Sequence, residues 1–148
     1  MTAPAARTVL SFDYGLRRIG VAVGNTLTGT AEGLATIAAQ DGVPDWRAVD
    51  ELVDDWRPQE FVVGVPYNAR GEDAGIAAAA LRFAGELQDR FGIGVHRVDE
   101  RLTSREAEDE LRERRRSGAK ARRVRRGDVD REAARLLLAA LMLQKPNL

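Results

Sequence analysis

Thr8-Val9-Leu10-Ser11-Phe12-Asp13-Tyr14-Gly15-Leu16-Arg17-Arg18-Ile19-Gly20-Val21-Ala22-Val23-Gly24 is the stretch that decides the architecture. It is apolar up to Asp13 and reads as a strand that ends on an acid. Tyr14-Gly15 breaks the run, and Ile19–Gly24 reads as a second strand. The connection Gly15–Arg18 is short, which favours an antiparallel hairpin. Ala31–Ile37 can supply a third strand, weakened by Gly33.

Beyond this meander the period changes. Trp46, Val49, Val53 and Trp56 are spaced three, four and three, the stripe of an amphipathic helix. Pro44 suits its first turn, and Pro58 bars its continuation. Both tryptophans are expected to anchor core packing. Phe61-Val62-Val63-Gly64-Val65 is a continuous apolar run, as in a strand covered on both faces. Pro66–Gly75 is a loop, and Ile76–Phe91 a helix with Ile76, Ala80, Phe83, Leu87 and Phe91 on one side. Val95–Val98 is a strand, and Asp99-Glu100-Arg101 sits at its carboxyl end. Thr103-Ser104-Arg105-Glu106 has capping-box spacing for another helix, which Ser117-Gly118 breaks. Val129–Leu143 forms the last helix. A meander followed by alternating helices and strands predicts a mixed α/β sheet covered on both faces. Residues 1–148 read as a single domain without repeats, and the basic segment 112–126 is the one candidate for local disorder.

Composition narrows the chemistry. At 148 residues, 44% hydrophobic and 31% charged, the chain is globular in character. No apolar run approaches the roughly 20 residues of a bilayer span, so no membrane association is expected. The N-terminus shows no basic segment leading into an apolar stretch, so no secretory signal is visible. There are no cysteines, which excludes disulfides and zinc thiolates and fits a cytoplasmic location. The one histidine, His96, reads as an outward strand residue, so histidine-based catalysis is disfavoured. Carboxylates with a hard metal are the better tools for hydrolysis. Net charge is zero, yet residues 112–126 hold nine basic residues and one acidic. The rest of the chain then has 14 basic and 22 acidic residues, an acidic body with one concentrated basic segment.

Three acids stand out by position. Asp13 ends the first strand, Glu100 follows the last, and Asp130 lies in the first turn of the last helix. Sites in open α/β sheets gather beyond the carboxyl ends of strands. Clustered carboxylates repel one another, and Mg2+ or Mn2+ is their natural partner. Two such ions roughly 3.5–4 Å apart can align a water for in-line attack on phosphorus. Surface and helix-capping roles are the plain alternative, and Asp130 suits a helix N-terminus on its own account. No G-x-x-x-x-G-K-[ST] loop is present.

Several blocks, in order, carry a resemblance. Phe12-Asp13-Tyr14-Gly15 with Arg18-Ile19-Gly20-Val21-Ala22-Val23 resembles the opening signature of the YqgF family, also called RuvX-like. Gly29-Thr30-Ala31 leads on to Ala39-Gln40-Asp41-Gly42-Val43-Pro44-Asp45-Trp46. Val63-Gly64-Val65-Pro66-Tyr67-Asn68 and Asp99-Glu100-Arg101-Leu102-Thr103-Ser104 resemble two further family blocks. Val129-Asp130 followed by Ala133 resembles the last. The likeness runs from about Leu10 to Leu143. It implies a ribonuclease H-like fold with a five-stranded mixed sheet, order 3-2-1-4-5, strand 2 antiparallel. It implies that Asp13, Glu100 and Asp130 hold divalent metal, with Asp13 central, for phosphodiester hydrolysis in a structured nucleic acid. The implied task is 5′-end maturation of the 16S rRNA precursor during ribosome biogenesis, on RNA of a pre-ribosomal particle. Cleavage of branched DNA as a Holliday junction resolvase is the alternative. A non-catalytic RNA-binding assembly factor is a third.

Two departures bear on the site. Ala69-Arg70-Gly71 stands where the family commonly has an acid or amide before the glycine. Asp128 stands where a lysine is common, which makes it a rival to Asp130, as Asp99 is to Glu100. Strand alternation lets only one of Asp99 and Glu100 enter the site. Arg122, Arg123, Arg125 and Arg126 suit contact with a phosphate backbone. The competing reading is a solvated helix face with pairs such as Glu110–Arg114. Arg17, Arg18 and Arg101 can grip the strand to be cut, Arg101 equally bracing the carboxylates, and Asn68 can donate to a phosphate or fix its loop. No heptad or other self-association signal is evident, so a monomer or weak homodimer is expected.

Overall fold

The computed structural model describes residues 7–67, 74–100 and 126–144. Strands β1 (Thr8–Asp13) and β2 (Arg18–Asn25) pair antiparallel, as the hairpin reading requires. β3 (Thr30–Gln40) pairs antiparallel with β2, with a register shift at Val21/Ala22. It is longer than expected at both ends, and Gly33 does not interrupt it. A two-residue strand, β4 (Val43–Pro44), folds back on the end of β3. Pro44 therefore belongs to an edge strand rather than to the helix. Asp45 is the N-cap of helix α1 (Trp46–Trp56).

β5 (Glu60–Val65) lies parallel to β1, helix α2 (Ala74–Phe91) follows, and β6 (Gly94–Asp99) lies parallel to β5. Helix α3 (Arg126–Gln144) completes the described chain. The sheet order is β4-β3-β2-β1-β5-β6. The short β4 makes six strands instead of five; without it the order is the expected one. The helix expected from Thr103 and the basic segment fall outside the described residues.

Alternation sorts the strand side chains between two cores. Leu10, Phe12, Ile19, Val21, Phe61, Val63 and Val65 pack with Val49 of α1 and with Ala80, Phe83, Ala84 and Leu87 of α2. Phe83 is the hub, with ring centroids 5.4 Å from Phe12, 5.3 Å from Tyr14 and 5.7 Å from Trp46. Across the sheet, Val9 and Val62 meet Leu137, Leu138, Leu141 and Met142 of α3. The helices therefore cover both faces.

Two residues depart from their expected places. Trp56, the last residue of α1, stays 42% exposed while Trp46 packs inward, because the helix ends where the core does. His96 is partly buried, with Nε2 3.3 Å from Glu60 Oε2 but poorly aligned for a hydrogen bond. Glu60 also accepts from the Arg7 guanidinium at 2.8 Å. His96 is thus part of a structural polar group near the start of β5.

Candidate active site

The carboxyl ends of β1, β5 and β6 lie side by side, with Asp13 in register with Gly64, and Gly64 with Val98. Val9 and Val98 belong to the α3 face, so alternation places Asp13 and Glu100 on that face too. Gly64 lies between them and presents no side chain. A Cβ there would stand 3.8 Å from the Glu100 Cβ and 2.8 Å from Leu137 Cδ2. The gap over β5 keeps space between the two acids open.

The third acid arrives from α3. A Cβ on Gly20 would lie 1.9 Å from the Asp130 carbonyl oxygen, so the first turns of α3 rest directly on the β2 backbone. That approach, possible only over glycine, sets Asp130 beside the end of β1. Its Oδ2 accepts a hydrogen bond of 2.8 Å from Arg18 Nε at the start of β2.

Electrostatics shows how close the acids are. Burial first, then the charge of Glu100, then that of Asp130, pushes the Asp13 carboxyl up to about 7. Burial, followed by Asp99, also raises Glu100. In both, burial is the leading cause. Asp128 is bonded to Arg131 one turn along α3, and neither Asp128 nor Asp99 is a source of the shift at Asp13.

The donor chemistry, three carboxylates at a partly enclosed sheet end, fits a hard divalent cation. Among the described residues, no group of three or more His, Cys, Asp or Glu side chains is arranged to hold an ion as it stands. The three acids are near enough for Glu100 and Asp130 to act electrostatically on Asp13.

Of the expected nucleic-acid contacts, Arg17 is exposed in the β1–β2 turn and Arg18 is exposed at the first position of β2. That turn is pinned from β3 and the β3–β4 turn, with Ala39 N–H donating to Arg17 O at 2.8 Å and Gly42 N–H to Leu16 O at 3.0 Å. Arg18 is paired with Asp130. Asn68, Arg101, Arg122, Arg123 and Arg125 lie outside the described residues. Arg126 opens α3, and its side chain is likewise outside them. Sequence reasoning missed Gly20 and Gly64. Their signal was present in β2, where Gly20, Ala22 and Gly24 alternate with Ile19, Val21 and Val23 and mark a face that something approaches closely. Nothing in the sequence could pair Arg18 with a residue 112 positions away.

Comparison with known proteins places this arrangement. A protein of Azotobacter vinelandii named "Putative pre-16S rRNA nuclease" is 47% identical over 141 residues, spanning 95% of this chain and 96% of that one. One of the same name from Haemophilus influenzae is 43% identical over 131 residues, spanning 88% and 91%. In three dimensions the chain resembles RuvC of Thermus thermophilus in complex with a Holliday junction substrate. The TM-score is 0.58 at 19% identity, covering 95% of this chain and 97% of that one. The yeast mitochondrial Holliday junction resolvase Ydc2 matches with a TM-score of 0.53 at 9% identity, covering 90% and 77%. These likenesses identify the ribonuclease H-like fold. The family model described as RuvX, Holliday junction resolvase, matches residues 7–144, and the chain belongs to this RuvX family of nucleases.

Proposed function

We propose that the chain is a divalent-metal-dependent nuclease acting on structured RNA, with 5′-end maturation of the 16S rRNA precursor in the cytoplasm as its task. Asp13, Glu100 and Asp130 are its proposed metal ligands. The observation that supports the reading is the nearness of these acids, with Glu100 beside Gly64, the Asp130 backbone over Gly20, and Asp13 raised to about 7 by burial, then Glu100, then Asp130. Mg2+ or Mn2+, when bound, supplies Lewis acidity toward a phosphodiester and lowers the pKa of a water. The protein's part is placement. Asp13, central to the proposed set, would orient the site from the end of β1, Glu100 from just beyond β6, and Asp130 from α3. Arg17 and Arg18, exposed at the end of the β1–β2 connection, are the proposed contacts to a phosphate backbone. The substrate is assigned by likeness to relatives named for the 16S rRNA precursor.

The fold shared with RuvC bound to a Holliday junction favours one second reading, cleavage of branched DNA by the same acids. Purified protein with Mg2+ or Mn2+, offered a precursor-end RNA and a four-way DNA junction, separates the two. The RNA should be cut faster, and Asp13→Asn should abolish cutting while substrate affinity stays within about threefold. Faster cutting of the junction would transfer the assignment to DNA. Binding without cleavage of either would make the protein an assembly factor.

A further inference from the structure

Tyr14 follows Asp13 directly, and alternation sends its side chain to the opposite face of the sheet. There its ring is buried against Phe83, with centroids 5.3 Å apart, and the nuclease reading gives it no task. Its hydroxyl donates to the Gly42 carbonyl at 2.5 Å. Gly42 N–H in turn donates to Leu16 O, two residues beyond Tyr14, at 3.0 Å. The Tyr14 side chain, the β3–β4 turn and the β1–β2 turn thus close one ring, with Gly42 held by both its backbone groups. Ala39 N–H adds a third bond, to Arg17 O at 2.8 Å.

The clasp has little slack. Gly42 has φ +84°, and a Cβ there would stand 2.8 Å from the Tyr14 hydroxyl and 3.2 Å from Leu16 Cδ2. Asp41 before it has φ +50°, so both central residues of the β3–β4 turn have positive φ, as the tightest hairpins require. β4 is only two residues long and holds that turn weakly by itself. Arg17 depends on the clasp more than Arg18 does. Arg18 is paired with Asp130, whereas the exposed Arg17 side chain makes no hydrogen bond or ion pair among the described residues. The place from which the Arg17 guanidinium can reach is therefore set by its backbone. That backbone is set by the bonds at Leu16 O and Arg17 O.

We infer that Tyr14 is a positioning residue for nucleic-acid binding: through the Gly42 carbonyl its hydroxyl fixes the β1–β2 turn, and with it the point from which Arg17 reaches a phosphate. The inference rests on the phosphate contact proposed for Arg17 under the nuclease reading. A cation carried on a backbone already in place loses less freedom on binding than one on a loose turn. The hydroxyl therefore adds to affinity without touching the nucleic acid. Tyr14→Phe keeps the ring on Phe83 and removes only the clasp.

Two measurements on the full chain, kept in chelator, test the role. The first is nuclear magnetic resonance relaxation without nucleic acid. In Tyr14→Phe the backbone order parameters of Leu16 and Arg17 should fall from the rigid value of about 0.85 toward 0.6, while those of β1 stay rigid. The second is the affinity for a precursor-end RNA. Tyr14→Phe should weaken it about two- to tenfold, the scale of one lost hydrogen bond, and Arg17→Ala should weaken it too. In the double variant the two losses should not multiply, because the hydroxyl acts through Arg17; a merely structural loss would multiply. Gly42→Ala breaks the same bond from its acceptor side and should give the same pattern, so the test does not hang on one variant folding. Unchanged order at Leu16 and Arg17, unchanged affinity in Tyr14→Phe, or losses that multiply overturn the inference. Arg17→Ala separates the two levels. If it binds RNA as tightly as the unmodified chain, the phosphate contact fails and the positioning role with it. If it binds more weakly while Tyr14→Phe does not, the positioning role alone fails.

Discussion

Asp13 shows what it takes to build a site of this kind. Its carboxyl is raised from 3.8 to about 7 by burial, Glu100 and Asp130. A raised folded-state pKa means that the folded protein holds this proton more tightly than the unfolded chain does. Its ionisation therefore costs stability, and the cost grows as pH climbs from about 4 through 7. Three pKa units correspond to at most about 4 kcal/mol. Asp13→Asn, which removes the charge at little change in volume, should then be the more stable protein at pH 8 in chelator, by about 1–4 kcal/mol. The difference should vanish below about pH 4. Urea denaturation at pH 4, 6 and 8 reads it directly, and equal stabilities at pH 8 would show that Asp13 is not under the strain described. Saturating Mg2+ should reverse the order, since only the unmodified chain gains by binding it at full strength. The acids themselves were legible as residues ending strands and opening a helix. That Asp130 lies against β2 was not legible from spacing, because it depends on how α3 lies on the sheet.

At the level of elements, that choice comes from glycine. α3 reaches β2 closely enough that a Gly20 Cβ would fall 1.9 Å from the Asp130 carbonyl oxygen. Backbone cannot yield as a side-chain tip does, so Gly20→Ala must lift the start of the helix. It should cost about 2–3 kcal/mol and also weaken Mn2+ binding, because Asp130 rides on that turn. Gly64→Ala meets a flexible Leu137 methyl instead, at 2.8 Å, and should cost less in stability. Thermal melts with calorimetric Mn2+ titration of the two variants check the ranking. On the far face, Phe83 touches Phe12, Tyr14 and Trp46, and Phe83→Ala should cost about 3–5 kcal/mol in urea denaturation. Elements with strong periodicity, β1, β2, β5, α1 and α2, were readable from sequence to within a few residues. β4 was not, since two residues with one proline hold no period and exist only by pairing with β3. Trp56 continued the α1 stripe by spacing, yet the core stops short of it. Periodicity describes a helix face without saying how far its partner extends.

Across the whole molecule, the net charge of zero conceals a division of labour. Residues 112–126 concentrate nine cations, and the rest of the chain is acidic, with 22 acidic residues against 14 basic. An acidic body repels a polyanion until cations intervene. Under the nuclease reading, metal ions answer that repulsion at the site. Arg122, Arg123, Arg125 and Arg126, immediately before α3 or at its first residue, answer it along the backbone. The two contributions respond differently to salt. Backbone neutralisation releases counterions, so affinity falls steeply with ionic strength, by about 0.9 in the log–log slope per duplex phosphate and about 0.7 for single strands. Replacing the four arginines with alanine should lower affinity at about 50 mM salt and flatten the slope by about 3. Asp13→Asn should leave the slope where it was. RNA binding measured between about 50 and 300 mM KCl in Ca2+ checks both. An unchanged slope in the four-arginine variant would mean that these cations do not touch phosphate. The polyanion would then have to be held by the exposed arginines of the β1–β2 turn, where Arg17→Ala should carry the loss instead.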